Sequence, residues 1–217
     1  MLLLSSIRLH GQDYYIQIVG KERGLGLSGI SAMIEDHEGM VWIGTQLGLL
    51  RFDGKQAYPF LPEKGNPNSL SNEYINDLFE DEDHNIWVAT RNGLNKIDPS
   101  RKIITHFFND TEDDASIPGN GIYKMAPATD SSFFIICARV GFAEFNRINN
   151  HITRLNPVYT QSQLTKRNYN ERFIVDAWRT KRNQIFVRTN DAVYRYDHAR
   201  NELLEVLDSI SGFDVYE

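Results

Sequence analysis

The chain has 217 residues, of which 41% are hydrophobic and 12% aromatic, and this composition excludes a largely disordered protein. A formal net charge of −6, with no cluster of lysine and arginine, argues against a nucleic-acid partner. No apolar run approaches the ~18 residues that a membrane-spanning segment needs, and the single cysteine, Cys137, excludes an intrachain disulfide.

The first segment, residues 1–12, reads MLLLSSIRLHGQ and combines a short apolar run with small and polar residues. Two interpretations stay open for it. It is the remnant of a signal peptide that starts upstream, or it is a disordered N-terminus. Neither interpretation assigns it to the folded domain, which we expect to occupy residues 13–217.

The folded domain contains four tandem copies of one sequence unit. The first copy reads EDHEGMVWIGTQLGLLRFD and the second reads EDEDHNIWVATRNGLNKID, with Trp42 and Trp87 at the same place. The third and fourth copies are degenerate, and we align Ile135 and Phe186 with the two tryptophans. The starts of the copies lie 45, 48 and 51 residues apart, at Ile30, Ile75, Tyr123 and Ile174.

Each copy is predicted to form four short strands. In the first copy these are the alternating run from Ile30, then VWIGT, GLLRFD and QAYPF, separated by polar turns such as DHEG. A unit of ~40–50 residues with four strands is typical of a β-propeller blade. The sequence therefore predicts an all-β fold of about four blades, each of four antiparallel strands, at residues 28–60, 73–107, 121–155 and 172–206, with 207–217 as the start of a further blade.

Neighbouring blades must stack face to face, so we expect Trp42 and Trp87 to pack between blades. The segment YYIQIVG, residues 14–20, is predicted to be a spare strand, because the first and fourth copies already contain their own fourth strands. We therefore expect an incomplete, open part of a larger ring. Its exposed end faces would associate with missing blades or with a second copy of the chain, as in a dimer.

The strand order predicts a shared rim for the turns between second and third strands and for the links between blades. Arginine, asparagine and tyrosine side chains on this rim suit a hydroxyl-rich, acidic ligand. The alternative is that they are solvated loop residues. The predicted ligand-binding residues are Gln46, Arg91, Arg139, Asn190, Asn72, Tyr74, Asn120 and Arg172.

No catalytic residue, metal ligand or cofactor site is predicted. The chain has no nucleophile elbow and no phosphate-binding loop. Its six histidines do not stand at the close spacing of a zinc site, although His37 and His84 recur at nearby places in the same turn. Cys137 aligns with the small residues Gly44 and Ala89, which indicates a buried structural thiol.

The sequence pattern of the repeat, I..I.ED..G.VWIGT..GL.RFD, resembles the two-component regulator propeller repeat. This resemblance covers roughly residues 13–206. It implies an N-terminal fragment of the periplasmic sensor region of a Bacteroidetes hybrid two-component protein, whose propellers commonly have seven blades. The family senses oligosaccharides, and its histidine kinase module is absent from this chain.

The predicted function is therefore ligand sensing without catalysis, with an oligosaccharide as the partner. Two alternatives remain open from the sequence. One is a carbohydrate-active propeller enzyme, a lyase or a hydrolase, which would need paired carboxylates or a tyrosine or histidine base on the binding rim. The other is a scaffold that binds another protein.

Overall fold

The computed structural model describes residues 29–100, 102–137, 141–155, 174–189, 192–197, 199–200 and 202–207. Two predicted segments lie outside these residues, the N-terminal segment 1–12 and the spare strand 14–20. Of the predicted start of a further blade at 207–217, only Leu207 is described, and it belongs to the fourth strand of the fourth sheet.

The described strands form four antiparallel sheets of four strands each, and the described residues contain no helix. The first sheet holds β1 (Ile30–Glu35), β2 (Val41–Thr45), β3 (Gly48–Phe52) and β4 (Ala57–Phe60). The second holds β5 (Ile75–Glu80), β6 (Ile86–Thr90), β7 (Gly93–Asp98) and β8 (Ile103–Phe107). The third holds β9 (Ile122–Thr129), β10 (Ser132–Cys137), β11 (Gly141–Asn146) and β12 (His151–Leu155). The fourth holds β13 (Ile174–Arg179), β14 (Ile185–Thr189), β15 (Val193–Asp197) and β16 (Glu202–Leu207).

The first strands of the four sheets lie beside one another in chain order, β1 against β5, β5 against β9 and β9 against β13. The sheets therefore fan out from a shared axis, with the first strand of each sheet innermost. Within the described residues no comparable contact joins the first sheet to the fourth. The predicted all-β propeller architecture, with four open blades of four antiparallel strands, is confirmed.

Apolar clusters fill the spaces between neighbouring sheets. Trp42 packs between the first and second sheets, and Trp87 packs between the second and third. Both tryptophans are 0% exposed, which confirms their predicted role as packing residues. Between the third and fourth sheets the large buried side chains are Phe134, Phe142, Tyr194 and Leu203.

The predicted alignment of the third copy is wrong by one residue, because Phe134 and not Ile135 occupies the tryptophan position. Trp42 pairs with Arg51, Trp87 with Lys96 and Phe186 with Arg195, and the corresponding pair in the third sheet is Phe134 with Glu144. Ile135 lies on the other face, against the second sheet. The repeat starts at Ile122, which is 0% exposed like Ile75, and not at Tyr123, which is 52% exposed.

The same shift moves Cys137 to a different position in the repeat. Cys137 pairs with Gly141 as Thr45 pairs with Gly48. It therefore occupies the threonine position at the end of the second strand, not the position of Gly44 and Ala89. Its predicted burial is nevertheless confirmed, since the thiol is 1% exposed.

The innermost strands of the first and second sheets are each joined to the next sheet by a hydrogen bond at the same place. The strand pairing shifts register after Ile30 and after Ile75, which leaves Ser31 and Asn76 in a bulge. The Ser31 hydroxyl donates to the Ile75 carbonyl at 2.6 Å, and the Asn76 amide donates to the Ile122 carbonyl at 2.6 Å. The bulge thus directs a polar side chain toward the neighbouring sheet.

Candidate functional site

The strand ends of all four sheets form two opposite rims, and we name each rim after the chain segments that connect the strands there. The link rim carries the turns at 46–47 and 91–92 together with the links 61–74 and 108–121. The turn rim, at the opposite ends, carries the turns at 36–40, 81–85, 130–131 and 180–184. The sequence placed the ligand site on the link rim.

Five of the predicted ligand-binding residues are described, and three of these lie together on the link rim. The Arg91 guanidinium carbon lies 3.4 Å from the centroid of the Tyr74 ring. The Arg91 backbone N–H donates to the Tyr74 carbonyl at 3.2 Å. Asn72 accepts a hydrogen bond of 2.9 Å from the Tyr74 backbone N–H through its side-chain oxygen. The turn after β6 and the entry to β5 are therefore held against each other.

Asn120 adjoins this group through Gly93, whereas Gln46 lies in the turn after β2 of the first sheet. The Asn120 carbonyl accepts from the Gly93 N–H at 2.7 Å, and its side-chain oxygen accepts from the Asn109 N–H at 2.6 Å. Asn120 therefore fixes the link before β9. Gln46 is exposed in the first sheet beside Gly29. The remaining predicted residues, Arg139, Arg172 and Asn190, lie outside the described part of the chain.

The Arg91 side chain is exposed, and within the described residues it makes no hydrogen bond or ion pair. Its stacking on Tyr74 restricts the plane of the guanidinium and leaves its N–H donors accessible. A planar guanidinium donates two parallel hydrogen bonds to a carboxylate, or separate bonds to hydroxyl groups. The pair Arg91–Tyr74 can therefore recognise an anionic or hydroxyl-rich ligand.

Two clefts open on the turn rim, which the sequence did not indicate as a binding surface. A cleft of about 710 Å³ lies between the third and fourth sheets. A smaller one of about 400 Å³ lies between the second and third sheets. Arg179 lines both, and it donates to the Glu144 carboxylate and, at 2.6 Å, to the Asn183 side chain. The charged residues that line these clefts come from different copies, so their proximity is not visible in the sequence.

Four acidic residues of the turn rim accept hydrogen bonds from other residues of the protein. Asp36 and Asp81 are buried, and each accepts a hydrogen bond of 2.7 Å from the indole of the tryptophan in its own sheet. Glu38 accepts from Arg51 at 2.9 Å, and Asp83 accepts from Arg147 at 2.6 Å. Three of these carboxylates therefore stabilise the turn of their own sheet, and Asp83 joins the second sheet to the third.

His37, Glu80 and His84 also meet on the turn rim, although 43 residues separate the first two. Nδ1 of His37 lies 2.7 Å from Oε1 of Glu80, and Nδ1 of His84 lies 3.2 Å from the same oxygen. The two imidazole rings are stacked, with centroids 3.6 Å apart. The recurrence of histidine in equivalent turns was visible in the sequence, but short-range spacing rules could not detect a group formed by two copies.

Burial raises the pKa of the Cys137 thiol to about 12. The S–H group donates to the Gly119 carbonyl at 3.2 Å. Cys137 therefore remains a protonated thiol in the folded chain at neutral pH, and it lies in the apolar cluster between the second and third sheets.

Comparison with known protein families identifies the repeat. Residues 24–46 and 69–92 match the family described as two component regulator propeller. Two of the four copies of the repeat therefore match this family. The second matched segment includes Asn72, Tyr74 and Arg91, and each matched segment contains the whole first and second strands of its sheet.

Solved structures share the fold of these repeats at low sequence identity. The chain superposes over 90% of its length on the extracellular domain of a hybrid two component system from B. thetaiotaomicron, with a TM-score of 0.73 and 17% identity, and covers 27% of that domain. Virginiamycin B lyase from Staphylococcus aureus gives a TM-score of 0.56 and 12% identity, with 82% of this chain and 55% of the lyase covered. A gluconolactonase from Xanthomonas campestris gives 0.50 and 11%, with 82% and 61% covered.

These likenesses establish a shared propeller fold. No curated protein matches the sequence. A search of the described residues for a long apolar helix that could cross a membrane finds none. The chain spans only about a quarter of the length of the first structural neighbour, so any activity of a whole receptor is a proposal for this chain.

Proposed function

We propose that this chain is part of the periplasmic, ligand-sensing propeller of a hybrid two-component receptor and has no catalytic activity of its own. The observation that carries the proposal is the match of residues 24–46 and 69–92 to the two component regulator propeller family. The fold likeness to an extracellular domain of a hybrid two component system supports an extracytoplasmic location.

The proposed ligand is an oligosaccharide that carries acidic groups and binds the link rim. Arg91 would donate hydrogen bonds to a carboxylate or to hydroxyl oxygens of the sugar. Tyr74 would keep the guanidinium in place through the stacking contact of 3.4 Å. The hydrogen bond from the Tyr74 backbone N–H to the Asn72 side chain orders this link in the absence of ligand. Such preorganisation lowers the entropic cost of ligand binding.

The proposed ring is larger than the four described sheets and has seven blades, with a further blade against the first sheet. The outer face of that sheet carries an apolar cluster in which Ile43 and Ala57 are buried and Val41, Leu50 and Phe52 are packed beside them. Met33 is 63% exposed. Propeller sheets bury such faces against a neighbour. A second copy of the chain is the alternative occupant, and it would appear as a dimer in size-exclusion chromatography with light scattering.

Ligand binding is tested with a panel of neutral and uronic-acid-containing oligosaccharides. Thermal denaturation and isothermal titration calorimetry measure binding, and chromatography of the sugars detects cleavage. We expect stabilisation by an acidic oligosaccharide without any product. Arg91→Ala should abolish the stabilisation, whereas Arg182→Ala, an exposed arginine on the turn rim, should leave it unchanged. Equal losses in both variants would contradict a link-rim site.

Turnover of a sugar would support the second candidate, a propeller enzyme. The fold likeness to a lyase and a gluconolactonase is the observation that favours this alternative. An enzyme of this kind would use the turn-rim cleft of about 710 Å³, where Glu144 and Arg179 lie together. Loss of turnover in Glu144→Gln, with ligand stabilisation retained, would assign the reaction to that cleft.

A further inference from the structure

We propose that His37, Glu80 and His84 form a binding site for a transition-metal ion of the zinc class, which clamps the first and second sheets together on the turn rim. Zinc accepts imidazole nitrogen and carboxylate oxygen as ligands, and two histidines with one glutamate are a known ligand set for it. One ligand atom from each of these three side chains lies within 4.8 Å of the others.

The ligand atoms are close to the separations that a bound ion requires. Ligands at 2.0–2.1 Å from a tetrahedral zinc ion are about 3.3 Å from one another. Nδ1 of His84 already lies 3.2 Å from Oε1 of Glu80, and Nδ1 of His37 lies 2.7 Å from it. The His37 ring would have to move away from the carboxylate and out of its stack with the His84 ring to admit the ion. Water would occupy the fourth position.

The protein holds each ligand in place through the backbone. The His37 backbone N–H donates to both carboxylate oxygens of Glu80, at 3.2 and 3.1 Å. His84 adopts a positive φ of 64°, in the turn that leads from β5 to β6. The turn is closed by a hydrogen bond of 2.9 Å from the His84 N–H to the Asp81 carbonyl. The site is therefore ordered by the turn and does not depend on the ion to form it.

Protonation of the rings is compatible with binding. In the contacts with the Glu80 carboxylate each Nδ1 donates, so binding of the ion requires the neutral tautomer that carries its proton on Nε2. The side chains of His37 and His84 are 39% and 53% exposed, so water can accept that N–H. Glu80 is 18% exposed, which limits competition by water for the carboxylate.

The surrounding charge favours a cation without supplying competing ligands. Glu82 and Asp83 follow Glu80 closely in the chain, but both are paired with Arg147, at 2.8 and 2.6 Å. With Arg147 they carry a net charge of −1, and their oxygens are engaged with the guanidinium. Since the ligands come from two sheets, an ion that binds only the folded chain stabilises the packing of the first sheet on the second by mass action.

The proposal is tested by titration with Zn²⁺ against a chromophoric chelator, together with thermal denaturation. We expect the chain to bind zinc at this site and to be stabilised by it, with no comparable effect of Mg²⁺ or Ca²⁺. His84→Asn should reduce the affinity by at least about tenfold. Asparagine suits this position, because Asn183 occupies the equivalent turn position in the fourth sheet with a φ of 61°. Glu80→Gln should also reduce the affinity.

His151→Ala is the matched control, because His151 is an exposed histidine in the third sheet. Its zinc affinity should equal that of the unmodified chain. Cobalt(II) provides a second readout in the unmodified chain, since a tetrahedral site with imidazole ligands gives intense visible absorption. Octahedral cobalt spectra, or equal zinc affinity of His84→Asn and His151→Ala, would overturn the proposal.

Discussion

The indole nitrogen of Trp42 donates a hydrogen bond of 2.7 Å to Oδ2 of Asp36. The other oxygen of Asp36 accepts from the backbone N–H groups of Glu38 and Met40. One carboxylate therefore closes the turn and pairs the buried indole. In the fourth sheet Thr180 occupies the aspartate position and Phe186 the tryptophan position, so the acid and the indole are absent together.

We predict that the second sheet depends on the equivalent pair, Asp81 and Trp87. Asp81→Ala should lower the free energy of unfolding by ~1–3 kcal/mol, because it leaves a buried indole N–H without an acceptor. Urea denaturation measures this change. Asp113→Ala, an exposed turn aspartate that also accepts a backbone N–H, should cost much less. In the Trp87→Phe background, the cost of Asp81→Ala should fall, and simple additivity would contradict the coupling.

Gly93 should be intolerant of a side chain. Its φ is +108°, and an added Cβ would lie 2.7 Å from the Phe108 ring and 3.2 Å from the Ser71 hydroxyl. Gly54, with a φ of +85°, is the matched control, because no atom lies within 4 Å of its added Cβ. Both alanine variants are destabilised by backbone strain, because both glycines have a positive φ. Gly93→Ala should cost ~1–3 kcal/mol more than Gly54→Ala in urea denaturation because of overpacking.

Two aspartates should respond to pH in opposite directions. Burial raises the pKa of the Asp77 carboxyl above its ordinary value of 3.8. The folded chain then binds that proton more tightly than the unfolded chain, so the contribution of Asp77 to stability declines as pH rises through the folded pKa. The stability of Asp77→Asn relative to the unmodified chain should therefore increase from about pH 3 to about pH 7.

Asp53 provides the opposite case. The backbone N–H groups of Gln56 and Lys55 hold the pKa of its carboxyl below the ordinary value of 3.8. The contribution of Asp53 to the free energy of unfolding is present above pH 3.8 and is lost as the pH falls through the lowered pKa. The stability of Asp53→Asn relative to the unmodified chain should therefore decrease as pH rises over the same range. Urea denaturation at several pH values measures both variants, and parallel trends would contradict the assignment.

Cys137 should resist thiol reagents until the chain unfolds. Its thiol is 1% exposed and its pKa is raised to about 12 by burial, so the reactive thiolate is scarce at pH values near neutrality. We expect negligible reaction with a disulfide reagent in the folded chain and one equivalent in urea. Lys181→Cys, which places a thiol on an exposed turn, should add one equivalent that reacts at once. Rapid reaction of the unmodified folded chain would contradict the burial of Cys137.

The architecture could be predicted because every copy repeats the same pattern of four short strands. The alignment of the third copy failed because Ile122 and Tyr123 are both large, and only burial distinguishes the inward residue from the exposed one. Sequence spacing therefore fixed the number of sheets but not the register of the most divergent copy.

The candidate sites were less accessible to sequence reasoning. The contact between Arg91 and Tyr74 joins a turn to a link within one copy, and strand order alone predicted a shared rim for them. The group of His37, Glu80 and His84 and the contact of Arg179 with Glu144 instead cross from one copy to the next. Such pairs depend on the rotation between sheets, which no single copy encodes.

The hydrogen bonds from Ser31 to Ile75 and from Asn76 to Ile122 use a side chain on one sheet and only a backbone carbonyl on the next. A backbone carbonyl can accept a hydrogen bond regardless of which side chain its residue carries. Gene duplication can therefore insert or remove a blade without requiring compensating substitutions at this junction. The divergence of the third copy is an outcome that this tolerance permits.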